Sequence, residues 1–310
     1  MEKIYVSGHK VPDTDSICSA IAYAQFLKDS GQYDAQAIRL GEISRESQFV
    51  LDTLEVAAPP LVEALEAGTA IALVDHNERG QAIDGIEELD IRQVVDHHRI
   101  ANFETKGPVF YRAEPVGCTA TIVSKLYRER GLTPDETTAG LLTSAILSDT
   151  LYFRSPTTTQ EDREALDYVS KLAGLNVDDY ADRLFKAGTS LEGMSAQELI
   201  SADAKEFNID GKLARVAQVM TADLASVEPV LPELMEAMDE VRKETGAQTF
   251  VLMVTDIFQE TSKVLVSGDY VAGLASAFES PLEGSSFMAP GLLSRKKQMI
   301  PKLTDTITGK

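Results

Sequence analysis

Four histidines occur in the chain, and all of them fall in three short segments that also carry acids: Gly8-His9-Lys10-Val11-Pro12-Asp13-Thr14-Asp15, Val74-Asp75-His76-Asn77 and Val95-Asp96-His97-His98. Each segment follows a short β-branched run, so each is placed where a strand ends. In open α/β sheets the carboxyl ends of the strands line the ligand crevice, so the three segments are expected to converge. A lone His or Asp at such a position is usually a cap or a solvated group. Several acids and imidazoles brought together concentrate negative charge at a cost that divalent cations remove. A carboxylate and imidazole set without thiolate suits Mn²⁺, Co²⁺ or Fe²⁺ better than the all-oxygen site of Mg²⁺ or a thiolate site for Zn²⁺.

Asp149 ends the apolar run that begins at Ala139, where an acid opposes the helix dipole; the alternatives are a solvated helix end or a carboxylate shared between two metals. In the chain's second part, Ser294-Arg295-Lys296-Lys297-Gln298 is the densest basic run of an acidic protein. Such a run is most often solvated surface. Opposite a metal cluster, it and Lys205 become candidates to grip phosphate oxygens, Arg by paired hydrogen bonds and Lys as a point charge.

The elements that must position these groups are readable from periodicity. Ile4-Tyr5-Val6, Ala37–Leu40, Ile71–Val74 and Val94-Val95 alternate with helices near Ser16–Lys28 and Glu46–Leu54, the pattern of a doubly wound, mainly parallel sheet. Cys118 to Ala187 reads as mostly helical. A break at 188–193 is expected to be a hinge linker, separating a domain over 1–187 from a smaller α/β domain over 194–310. The latter should hold strands at Lys205–Ile209 and Leu213–Val219 around an Asp210-Gly211 turn, a helix over Pro232–Thr245, strands at Phe250–Thr255 and Val264–Ser267, and a loop from Gly291 to Gln298. A length of 310 residues fits two domains. The formal charge of −20 argues against a nucleic-acid surface, which needs Lys and Arg to neutralise phosphates. Two cysteines suggest neither a disulfide framework nor a thiolate metal site, and no apolar stretch reaches membrane-spanning length, so a soluble, unexported protein is expected.

The ordered set His9/Asp13/Asp15, Asp75-His76-Asn77, Asp96-His97-His98, Asp149 and Ser294–Gln298 resembles the family II inorganic pyrophosphatases of the DHH phosphoesterase superfamily. The likeness spans the chain, with Val11 departing where the family pattern has Asn. The resemblance implies a catalytic DHH domain followed by a substrate-binding DHHA2-type domain, with the active site in the cleft between them. It implies two metal ions per subunit, Mn²⁺ or Co²⁺, one on His9, Asp13 and Asp75 and the other on Asp15, Asp75 and His97. Asp149 would serve the pair and Asp75 would bridge it. By the same resemblance a hydroxide held between the metals attacks pyrophosphate in line, His98 orients the substrate and acts as general acid, and Lys205, Arg295 and Lys296 neutralise a diphosphate that arrives with additional Mg²⁺. A cytoplasmic homodimer joined through the first domain is the family's usual form, with pyrophosphate as partner and neither nucleic acid nor membrane.

The nearest alternatives are an exopolyphosphatase or another DHH phosphodiesterase, and a non-catalytic metal or phosphate sensor. The chain contains no Gly-Gly, which disfavours the glycine-rich nuclease members. The presence of every candidate ligand and of His98 disfavours a sensor, and no segment is long enough for a regulatory nucleotide-binding insert.

Overall fold

The computed structural model describes residues 1–191 and 193–309, so Glu192 of the expected linker lies outside the described residues. The chain forms two compact units, Met1–Gly188 and Thr189–Lys310. In the first, strands β1 (Lys3–Ser7), β2 (Asp34–Ile38), β3 (Ala70–Val74), β4 (Asp90–Asp96) and β5 (Phe110–Ala113) make an all-parallel sheet in the order β2-β1-β3-β4-β5. The strand order reverses between β1 and β3, and the crevice at such a switch point opens at their carboxyl ends. There lie His9, two residues beyond β1, and Asp75, immediately beyond β3.

β3 is buried along its whole length, and burying a Leu, Ile or Val side chain stabilises by ~1.5–3 kcal/mol, so the register that delivers Asp75 is strongly held. On one face of the sheet Ile38, Ile71, Leu73, Ile83 and Val94 form an apolar cluster with short turns over 79–89. The first unit's helices are α1 (Thr14–Asp29), α2 (Arg45–Thr53), α3 (Thr119–Glu129), α4 (Glu136–Asp149), α5 (Gln160–Leu172) and α6 (Val177–Gly188). α4 is buried at every residue from Thr138 to Leu147 and packs against α1, so it is a central helix, and its C-terminal end carries Asp149.

The second unit is a mixed sheet in the order β10-β9-β8-β7-β6, built from β6 (Lys205–Ile209), β7 (Lys212–Thr221), β8 (Thr249–Asp256), β9 (Thr261–Gly268) and β10 (Ser286–Pro290). Only the β7–β8 pair is parallel. Its helices are α7 (Ala196–Ser201), α8 (Leu231–Thr245), α9 (Val271–Ala277) and α10 (Ile300–Thr308). Asp210 (φ 51°) and Gly211 (φ 76°) both take the left-handed conformation that a two-residue hairpin turn requires.

Two expectations change, and one strand is new. The strand read at 37–40 lies at Asp34–Ile38, because pairing with β1 begins at Lys3↔Asp34. β5, a four-residue edge strand with no fully buried residue, has no apolar periodicity to announce it. The loop read over Gly291–Gln298 becomes, from Arg295 to Met299, a π-helical turn capped by Ser294, and this runs directly into α10. No helix among the described residues is long and apolar enough to cross a membrane.

Candidate metal centre

Gly8 brings the chain so close to α1 that any side chain there would collide with Ser16, whose hydroxyl accepts from His9 N at 3.0 Å. Asp13 caps α1, with Oδ1 accepting from Ser16 N at 2.9 Å, and its Oδ2 lies 3.6 Å from His9 Nε2. Asp75 adopts φ 62°, a left-handed conformation that costs a non-glycine residue about 1 kcal/mol and that Asp tolerates better than most. Its side chain, 2% exposed, faces two imidazoles: Oδ2 is 3.4 Å from His9 Nε2, and Oδ1 is 3.4 Å from His97 Nε2. His97 Nε2 is also 3.3 Å from Asp149 Oδ2. Donor atoms of His9, Asp13 and Asp75 lie within 4.8 Å of one another, as do those of Asp15, His97 and Asp149. The structure thus gathers all six expected ligand residues into two adjoining groups, with one oxygen of Asp75 turned to each histidine.

The surrounding residues fix these orientations, and few of them were visible as site residues in the sequence. His97 Nδ1 sits 3.0 Å from the Val116 carbonyl, which can only accept, so Nδ1 carries the proton and Nε2 is presented to the carboxylates. Asp15 is gripped by the start of α3: Thr119 N donates to Oδ2 at 2.6 Å and Ala120 N to Oδ1 at 3.2 Å, with Ser19 Oγ donating at 2.6 Å. Helix N-termini favour anions through these unpaired amides. Thr119 Oγ1 donates to Asp75 Oδ1 at 3.1 Å. Behind this loop, buried Asp162 accepts from Gly117 N at 2.8 Å and from Thr121 Oγ1, Thr159 N and Thr159 Oγ1, each at 2.7 Å. The only sequence signal for Asp162 is its capping spacing from Thr159.

Asp96 is wholly buried and is not part of either ligand group. Its Oδ1 accepts from His98 N and His98 Nδ1, both at 3.0 Å, and its Oδ2 from Asn77 Nδ2 at 2.6 Å. His98, 54% exposed, therefore keeps Nε2 for another partner. His76 turns inward, donating from Nδ1 to the Val74 carbonyl at 2.8 Å, and burial lowers its pKa.

The electrostatics describe a site that draws positive charge. Burial works against protonating His9, yet hydrogen bonds and charge from Asp13 and Asp75 push it up to about 10. His97 is likewise pushed up to about 10, burial being outweighed by Asp75, Asp15 and Asp149. Burial raises Asp15 well above the usual carboxylate range and Asp149 to about 7, whereas Asp75, despite burial, is held below that range by the two histidines. The donor chemistry fits divalent cations: carboxylate and imidazole donors converge, and His97 Nε2 and Asp149 Oδ2 are buried without a hydrogen bond.

In the second unit, Arg295 is buried, and its guanidinium donates to the Asp203 carbonyl, to the Asp203 carboxylate at 3.0 Å and to the Val216 carbonyl at 3.3 Å. Lys205 Nζ lies 3.9 Å from the same carboxylate, and Lys296 is exposed. Arg295 is thus held internally while the two lysines face solvent. Gln298 staples the preceding loop, accepting from Leu293 N at 2.9 Å and Ser294 N at 2.8 Å and donating to the Gly291 carbonyl at 2.7 Å.

Residues 3–146 match the model of the DHH family N-terminal domain, and residues 182–306 match that of the DHHA2 domain. A Bacillus subtilis (strain 168) protein named manganese-dependent inorganic pyrophosphatase is 45% identical over 308 residues, 99% of each chain. A Methanococcus jannaschii structure described as a family II inorganic pyrophosphatase is 37% identical, with a TM-score of 0.60 over 99% of this chain and 100% of its own. An exopolyphosphatase-related protein from Bacteroides fragilis, 13% identical with a TM-score of 0.51 over 99% of this chain and 92% of its own, shares the fold.

Proposed function

This chain belongs to the manganese-dependent, family II inorganic pyrophosphatases, which join a DHH domain to a DHHA2 domain, and we propose that it hydrolyses pyrophosphate to two phosphates at the cluster around Asp75. The observation that carries the reading is the bridging placement of Asp75, one oxygen toward His9 and the other toward His97.

His9, Asp13 and Asp75 would hold one divalent cation, and Asp15, Asp75, His97 and Asp149 a second, giving two Mn²⁺ or Co²⁺ per subunit. Such a pair supplies a water of lowered pKa and neutralises charge on the transferring phosphoryl group. The protein's own part is orientation and proton handling. Val116 and Thr119 fix His97 and Asp75. Asp96 holds the Nδ1–H of His98, which leaves Nε2 to pass a proton to the departing phosphate. Hydrogen bonding to Asp96 raises the His98 pKa, burial opposing it, so the acid form is favoured.

Lys205, Lys296 and Arg295 are assigned to the diphosphate and its accompanying Mg²⁺; for Arg295 this requires release from Asp203. A cytoplasmic homodimer joined through the first unit completes the proposal. Metal-stripped protein should regain rapid phosphate release from pyrophosphate when Mn²⁺ is added in the presence of Mg²⁺. Faster release from tripolyphosphate would move the assignment to an exopolyphosphatase, faster cleavage of a dinucleotide to a phosphodiesterase, and no cleavage of any of the three to a sensor.

A further inference from the structure

Glu46 lies in the first turn of α2, which Ser44 caps by accepting from Ser47 N at 3.0 Å. An acid at that position is ordinarily explained by the helix dipole alone. Here the carboxylate has other partners. Its Oε1 accepts from the Thr14 hydroxyl at 2.7 Å and from the Ser148 hydroxyl. The chain of donors is ordered: Ser44 Oγ donates to Ser47 Oγ at 2.9 Å, which lies 3.2 Å from Thr14 Oγ1, leaving the Thr14 proton for Glu46. Gly188 confines the other side, since a methyl there would lie 2.6 Å from Glu46 Oε2 and 2.9 Å from its Cβ.

Thr14 stands between Asp13 and Asp15, and Ser148 immediately precedes Asp149. One carboxylate oxygen therefore ties the N-terminus of α1 to the C-terminus of α4, the two segments that bring three of the six ligand carboxylates and imidazoles to the centre. We propose that Glu46 is a positioning residue of the metal centre: it sets the spacing of Asp13 and Asp15 against Asp149, and through that spacing the affinity for the cation held by Asp15, His97 and Asp149. The inference rests on the pyrophosphatase reading of that centre. It concerns geometry and requires only an acceptor at Oε1, so an amide carbonyl should serve.

The test is Mn²⁺ binding to the metal-stripped full chain, followed by the paramagnetic resonance of free Mn²⁺, for wild type, Glu46→Ala, Glu46→Gln and Ser148→Ala. Loss of a group that orients ligands typically weakens metal binding ~10–100-fold, and Glu46→Ala is expected in that range. Glu46→Gln should retain most of the affinity, and Ser148→Ala, which removes one donor and leaves α2 untouched, should fall between; it also keeps the test open should Glu46→Ala not fold. Thermal unfolding of the metal-free variants separates positioning from general stability, because a merely structural role lowers that midpoint without selectively weakening Mn²⁺. Wild-type affinity in both Glu46→Ala and Ser148→Ala would overturn the proposal, as would equal weakening by Gln and Ala, which would assign the effect to charge. Failure of the wild type to bind Mn²⁺ would instead overturn the pyrophosphatase reading beneath it.

Discussion

Replacing Asp162 by Ala removes a buried carboxylate that accepts four hydrogen bonds, two from the backbone amides of Gly117 and Thr159 and two from the hydroxyls of Thr121 and Thr159. Hydrogen bonds to a charged group contribute ~1.5–3 kcal/mol each, but they do not add, and removing the carboxylate also removes the cost of having desolvated it. The two hydroxyls can turn to other acceptors and the part-buried Thr159 amide can turn to water, whereas the buried Gly117 amide cannot. Counting ~1–3 kcal/mol for the stranded Gly117 amide, and less for that of Thr159, gives a destabilisation of about 2 kcal/mol for Asp162→Ala. Asp162→Asn keeps one carbonyl acceptor for the amides and should cost about 1 kcal/mol. The segment that Asp162 pins carries Val116 and Thr119, so Mn²⁺ affinity should also fall ~10-fold in Asp162→Ala, although Asp162 is no ligand. Because the chain has two units and need not unfold in one step, amide hydrogen exchange of peptides covering 116–129 is the suitable assay. Unchanged protection there together with unchanged Mn²⁺ affinity in Asp162→Ala would refute the idea that this loop transmits order to the ligands.

The metal-free protein should lose thermal stability as pH rises from 6.5 toward 10. His9 and His97 titrate near 10 when folded and near 6.5 when unfolded, so the folded state binds the extra protons in that window, and the stability they bring is present below 6.5 and lost through 10. With Mn²⁺ bound, which displaces those protons, unfolding midpoints over the same range should be nearly flat; a flat profile without metal would contradict the clustering of the two imidazoles with carboxylates. Asp203→Asn should lower KM for pyrophosphate while costing about 1 kcal/mol of stability, since it weakens the hold on Arg295 from a half-exposed partner; steady-state kinetics showing a raised KM would make the pair a support for the site instead of a competitor. Gln298→Ala, which removes three hydrogen bonds closing the 291–294 loop, should raise KM and leave Mn²⁺ affinity unchanged, as kinetics beside a metal titration would show.

The residues that could hold metal were legible because their chemistry is rare in this chain and their positions are local: four histidines, each at a strand end, are a pattern that strand periodicity alone can place. Asp149 was legible because an acid closing an apolar helix is locally anomalous, and that anomaly is resolved by a central helix pointing its C-terminal end at His97. What supports these residues was not legible, since each supporter has an adequate local explanation. Asp162 is satisfied as a helix cap, Glu46 as a first-turn acid, and Asp96 as one letter of a motif, and only tertiary structure shows the partners that sit 102 residues away in the case of Glu46 and Ser148.

Arg295 shows the same limit from the other side. Within Ser294–Gln298 nothing in residue type separates the basic residue that turns inward from those that face solvent, and a run of three cations before Pro301 reads as loop. The π-helical turn decides it: capped by Ser294 and continuing into α10, it buries Arg295 and Met299 while leaving Lys296 and Lys297 exposed. A buried guanidinium needs a carboxylate or several carbonyls; Asp203, at the foot of β6, supplies a carboxylate and a carbonyl, and Val216 a second carbonyl. The same aspartate lies beside Lys205. One acid thus gathers two of the three cations assigned to the diphosphate, so a substrate that takes Arg295 must replace the contacts Asp203 gives it. A phosphate group, with up to two charges and three strong acceptor oxygens, has the charge and the acceptors to do so.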